Sequence, residues 1–131
     1  MATWADVRRV ALDLPGVVED ASGATTAWRV GSRAFAWERH LRRSELALLR
    51  SAVPQQPALG LRVADPGART AWLQEHPRVF FLVPFYEAHP MVLVRVDEAP
   101  FDVLDDALTE AWLSRAPQRL VRPFLAAADG S

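Results

Sequence analysis

The apolar positions of the chain are densest in Val79–Val83 (VFFLV) and Met91–Val96 (MVLVRV), two runs flanking a short connection bounded by Pro84 and Pro90. Such β-branched and aromatic runs predict two strands of a buried sheet joined by an aromatic loop. The first run contains no polar residue, which predicts a central strand with both faces covered.

Elsewhere the pattern alternates between helical and extended periods. Thr3 followed by Asp6 is an approximate capping box, and Trp4, Val7, Ala11 and Leu14 recur at helical spacing until Pro15-Gly16 stops the helix. Residues 17–24, small and acidic, read as loop. Thr25–Val30 and Ala34–Glu38 are short aromatic-containing runs around Gly31-Ser32, a hairpin signal. Ser44 as N-cap and the helix formers after it predict a short helix from Glu45 to Ala52, with a strand as the alternative. Residues 54–57 form a loop, and Leu59–Val63 a further strand. Asp65-Pro66 combines an N-cap with a proline at the first helical position, opening a helix to Glu75. The last main helix starts near Phe101 or Asp102, with Leu104, Leu108, Ala111 and Trp112 on its apolar side and Asp105, Asp106 and Glu110 on the other. After Pro117, Leu120–Leu125 adds one turn that packs Val121 and Phe124 on the body.

Helix, two strands, short helix, strand, helix, two strands, helix, with hairpin-length connections, predicts an α+β domain. Its sheet is mainly antiparallel, flanked by the N- and C-terminal helices and covered by helices on one face. At 131 residues the whole chain, 1–131, reads as a single domain. It has no cysteine, which excludes disulfides, thiolate metal sites and a cysteine nucleophile. No secretory apolar region and no apolar stretch of the roughly 20 residues needed to span a bilayer is present. The expectation is a cytoplasmic protein without membrane contact, with a monomer favoured.

Charge changes the picture more. All 15 basic side chains are arginine, against 16 acids, so net charge is −1 and there is no global basic signature. The distribution is segregated. Residues 28–50 hold Arg29, Arg33, Arg39, Arg42, Arg43 and Arg50 against Glu38 and Glu45, and residues 111–128 hold Arg115, Arg119 and Arg122 with no acid. Residues 97–110 hold six acids and no base. A local positive region binds polyanions despite a neutral total, because phosphate contacts act within about one Debye length, roughly 10 Å. Arg29, Arg33, Arg39, Arg42 and Arg43 are therefore the candidate nucleic-acid-binding residues. The competing reading pairs Arg39, Arg42 and Arg43 with Glu38, Glu45 or the acidic helix in an ordinary surface.

Candidate chemistry is otherwise sparse. His40, His76 and His89 show no metal-ligand spacing, and His76 suits a helix C-terminus, where a cation favours the dipole. The serines lack a nucleophile elbow and the glycines form no phosphate-binding loop. No catalytic residue, metal or cofactor is expected. Phe85, Tyr86 and His89, in the aromatic loop, form an alternative site for a protein or small ligand, with a pocket among Trp28, Trp37, Phe85 and Tyr86 as its expected form.

The segments WADVRRVALDLPGV, TTAWRVGSRAFAWER, HPRVFFLVPFYEAHPMVLVRV and DDALTEAWLSRAPQRL, in this order over most of the chain, resemble the MmcQ/YjbR family of small bacterial proteins. The resemblance implies a CyaY-like (frataxin-like) α+β fold and a DNA-binding, non-enzymatic role, with DNA as the partner and no catalytic residues to carry over. Arg119 stands where relatives commonly carry a basic residue. The loop departs from the relatives' HY-x-G-Y-P, reading Phe85-Tyr86-Glu87-Ala88-His89-Pro90. Frataxin-type proteins bind iron through acidic ridges, and the acids of the final helix are the nearest counterpart here.

Overall fold

Thr3 caps the first helix as its sequence suggests. Its hydroxyl accepts the Asp6 N–H at 3.2 Å, and the Asp6 carboxylate accepts the Thr3 N–H at 3.0 Å, completing the capping box. The computed structural model describes residues 1–49, 57–84 and 88–129. In chain order these form α1 (Trp4–Asp13), β1 (Val17–Asp20), β2 (Ala27–Val30), β3 (Arg33–Arg39), α2 (Arg43–Leu49), β4 (Ala58–Arg62), α3 (Pro66–Glu75), β5 (Phe80–Phe81), β6 (Met91–Val94), α4 (Phe101–Leu113) and α5 (Gln118–Asp129).

The α+β expectation holds. The described strands form one six-stranded antiparallel sheet in the order β1-β2-β3-β4-β6-β5. The β2–β3 hairpin turns at Gly31, whose φ of +62° is the left-handed conformation a tight hairpin turn needs and a side chain disfavours.

Strand alternation sends side chains to two faces. Trp28, Val30, Phe35, Leu59, Leu61, Phe80, Val92 and Val94 enter the main core with α1 and α4, around a fully buried Trp112. The Trp112 indole N–H donates to the Pro15 carbonyl at 3.0 Å, and its ring meets Phe124 edge-on at 4.9 Å. This ties α4 to the end of α1 and to α5. On the opposite face Ala58, Phe81, Met91 and Leu93 join Leu41, Val83, Trp37, Leu46 and Leu49 in a second cluster. Gly60 lies beneath Trp37 so closely that a Cβ there would fall 2.2 Å from the indole nitrogen. Only glycine lets that ring lie flat against β4.

Several expectations are corrected. Helices cover both faces, because α2 supplies Leu46 and Leu49 to the second cluster. Residues 17–20 are a strand and not loop, since VVED pairs along β2 from Val17↔Val30 to Asp20↔Ala27. The apolar run around Phe80 is an edge strand and not a central one. Both its faces are nonetheless covered: the Trp72 ring packs on Phe80 at 5.0 Å, tilted by 35°, and the Arg95 guanidinium sits 4.3 Å over Phe81. Helix α2 begins at Arg43, so Ser44 lies inside it, and the Glu45 carboxylate accepts the Arg42 N–H at 2.7 Å instead. The expected end of that helix at Ala52 lies outside the described residues. The C-terminal turn expected at 120–125 is a full helix, α5, with Pro123 inside it.

Candidate nucleic-acid interface

The strand that carries the first candidate arginines also separates them. Arg33 opens β3 and Arg39 closes it, so at ~3.3 Å per residue their backbones stand roughly 20 Å apart, about two Debye lengths. Arg29 lies beside Ala34 near the hairpin end, whereas Arg42 and Arg43 follow β3 at the far end. The five residues therefore form two groups and not one patch.

Two of the five are engaged in ion pairs. The Arg39 Nη2 donates to both Glu45 carboxylate oxygens, at 2.9 and 2.8 Å, and its Nη1 donates to the His40 carbonyl. This pair is largely buried, with Glu45 the one buried charged residue among those described. The reading that paired Arg39 with Glu45 is thus correct for that arginine. Arg29 donates through Nε to Asp20 at 3.2 Å and through Nη1 to the Ser32 carbonyl at 3.3 Å. The Asp20 carboxyl is held below the usual carboxylate range, first by the Ser22 hydroxyl and N–H and then by Arg29. Arg33, Arg42 and Arg43 are exposed and make no ion pair among the described residues.

The α4 acids share a sheet face with Arg33, which lies opposite Val30 and two residues before Phe35, both in the main core. Asp102, Asp105, Asp106 and Glu110 are exposed on α4, whose apolar side rests on the main-core face of the sheet. Arg29, Arg39 and Arg62 project from the other face, because their strand neighbours Trp28, Val30, Leu59 and Leu61 fill the main core.

A further pair of arginines escaped the sequence because its members are distant in the chain. Arg62 ends β4, and Arg115 follows the end of α4. Burial lowers the Arg62 pKa, and the nearby Arg115 guanidinium lowers it further. The Arg115 Nε is buried and makes no hydrogen bond among the described residues. Arg115 belongs to the second basic segment, but nothing in the local pattern marks Arg62.

The alternative site is only partly described, since Phe85 and Tyr86 lie outside the described residues. Trp28 and Trp37 cannot line one pocket. Trp28 stacks on Trp4 at 6.3 Å in the main core and donates to Glu19, while Trp37 covers Gly60 on the opposite face. His89 is exposed, and its carbonyl accepts the Arg69 Nη1 at 2.7 Å beside a cavity of about 100 Å³ lined by Val63, Pro66, Arg69, Ala88, His89 and Pro90. Of the other histidines, His40 is exposed, and His76 caps α3 with its ring beside the Trp72–Phe80 pair, 6.1 Å from each. Among the described residues no group of three or more histidine and carboxylate side chains converges as metal ligands would. None of the described helices is long and apolar enough to cross a membrane.

An antiparallel six-stranded sheet packed on α1 and α4, with a second small layer under α2, defines an α+β class shared with a solved structure. The crystal structure of a Deinococcus radiodurans protein, assigned to the domain family DUF419, superposes with a TM-score of 0.62 over 86% of this chain and 78% of that one, at 22% identity. The model of the YjbR family matches residues 12–114, and the chain belongs to that family. Uncharacterised proteins of Mycobacterium tuberculosis and Mycobacterium bovis are each 42% identical over 129 residues, covering 96% of this chain and 98% of theirs.

Proposed function

We propose that this YjbR-family protein is a non-enzymatic bacterial module, working in the cytoplasm, that binds nucleic acid by phosphate contacts from exposed arginines. The observation that carries the reading is the state of Arg33, Arg42 and Arg43. They are exposed cations without a described carboxylate partner. Arg29 and Arg39 position their neighbours: Arg39 fixes the start of α2 through Glu45, and so sets where Arg42 and Arg43 emerge. Two groups roughly 20 Å apart suit an extended polyanion, since that distance covers about six phosphates at ~3.4 Å each along one strand. Phosphate contacts position without reading bases, so binding is strongly salt-dependent and weakly sequence-specific.

The test is fluorescence anisotropy with a labelled duplex and a labelled single strand at about 50 and 200 mM salt. Binding at the lower salt that weakens steeply at the higher supports the proposal. No binding of either probe at about 50 mM salt overturns it.

A further inference from the structure

We propose that the cavity at the outer edge of the sheet, between the ends of α3 and β6, binds one unpaired nucleotide, its base stacked on Arg95 and its phosphate held by Arg78. The site rests on the nucleic-acid reading above for its source of nucleotides, and it adds a base contact to the phosphate contacts proposed there. Backbone contacts bring its residues together. The Arg95 N–H donates to the Val79 carbonyl at 2.8 Å, which sets Arg78 and Arg95 side by side, and the Arg95 Nη1 reaches the Arg78 carbonyl at 3.5 Å. A short 3-10 turn, Val96–Glu98, then folds the chain back, and the Glu98 N–H donates to the Arg95 carbonyl at 3.1 Å. Pro77, Arg78, Arg95 and Glu98 line a cavity of about 250 Å³, below the ~300–1,000 Å³ of a pocket for a drug-sized ligand and suited to a single base.

Arg95 supplies a flat surface. Its guanidinium lies 4.3 Å over the buried Phe81 ring, so the face turned away from that ring is the one that fronts the cavity. Burial lowers the Arg95 pKa, while the Glu98 and Asp97 carboxylates raise it. A guanidinium plane backed by an aromatic ring is a stacking surface for an unpaired base, which a duplex keeps inside its own stack. Glu98 and Arg78 are exposed and make no ion pair among the described residues. The Glu98 carboxylate can accept from the exocyclic amino group of cytosine or adenine and finds no such donor on thymine. Arg78 offers a planar fork to the phosphate. The cavity also lies at the sheet end that carries Arg42 and Arg43. Arg39 is paired with Ala58, and one position beyond Leu59↔Val94 sets Ala58 beside Arg95. At ~4.8 Å per strand the Arg39 and Arg95 backbones stand roughly 10 Å apart, about three phosphate steps at ~3.4 Å each.

Fluorescence anisotropy with labelled oligo(dC), oligo(dT) and a duplex at about 50 mM salt tests the site. Oligo(dC) should bind roughly tenfold more tightly than oligo(dT), the discrimination expected of one carboxylate–amino contact. Glu98→Gln, whose amide can turn either its oxygen or its nitrogen to the base, should reduce that difference to about twofold or less. Arg95→Lys keeps the charge but not the plane, so it should weaken oligo(dC) binding roughly tenfold and leave the salt slope unchanged. Equal wild-type affinity for the two strands, a preference that Glu98→Gln leaves intact, or full oligo(dC) affinity in Arg95→Lys overturns the proposal. Glu98→Gln, at an exposed position, carries the test if Arg95→Lys fails to fold. Salt-dependent duplex binding alongside any of those results leaves the phosphate-contact reading standing, whereas no binding of any probe overturns both. Cytidine monophosphate distinguishes the sources: saturable shifts of the Arg95 Nε–Hε NMR signal with oligo(dC) unbound assign the site to a free nucleotide, and oligo(dC) binding assigns it to a strand.

Discussion

Replacing Glu45 by alanine tests the account of how the far arginine group is positioned. Glu45 is buried, its side chain 9% exposed and that of its partner Arg39 14%. Its two oxygens accept three hydrogen bonds, two from Arg39 at 2.9 and 2.8 Å and one from the Arg42 N–H at 2.7 Å. Removing one partner of a buried pair leaves the other charge without compensation and costs about 3–5 kcal/mol. For a chain of this length the unfolding entropy converts each kcal/mol to about 3–4 °C, so Glu45→Ala should lower the melting temperature by about 9–20 °C. Urea denaturation should give the same loss in free energy with an unchanged m-value. The double variant Arg39→Met/Glu45→Leu replaces the pair by apolar side chains next to Leu41 and Leu46, and should recover to within about 2 kcal/mol of the parent. A single-variant loss below about 1 kcal/mol, or a double variant less stable than Glu45→Ala, would refute the reasoning.

Gly60→Ala should destabilise by about 1–3 kcal/mol and shift the Trp37 fluorescence, because the new methyl displaces the indole; denaturation monitored by emission checks both. Trp112→Phe keeps most of the buried ring but orphans the Pro15 carbonyl, a loss of about 1–3 kcal/mol by urea denaturation. The Asp20 carboxyl should titrate below the ordinary carboxylate range by NMR, and Ser22→Ala should raise its midpoint more than Arg29→Gln does. Because the folded pKa is depressed, the stability linked to Asp20 is present above the ordinary carboxylate pKa and fades as pH falls through the folded value.

Local signals in the sequence reported the fold well where a chemical device was involved. The Thr3–Asp6 box, the Asp65-Pro66 start and the Gly31 turn all lie where their residues place them. Strand β1 escaped because VVED lacks an alternating pattern and becomes a strand by pairing with β2. The run around Phe80 was misplaced for a different reason: apolarity reports coverage of faces, not the number of strand neighbours. Trp72 and Arg95 supply that coverage at the sheet edge. The arginine-rich segment was legible as a list and not as an arrangement. Residues close along a strand separate by about 3.3 Å each, so Arg33 and Arg39 diverge.

The salt dependence of nucleic-acid affinity tests the central claim most directly. If Arg33, Arg42 and Arg43 each meet one phosphate, log affinity should fall against log salt with a slope of about −2.7 on duplex DNA, an affinity loss of about 40-fold between 50 and 200 mM. Arg42→Ala/Arg43→Ala should reduce the slope to about −0.9 and the loss to about threefold. A wild-type affinity indifferent to salt, or a slope the double variant leaves unchanged, would contradict the account.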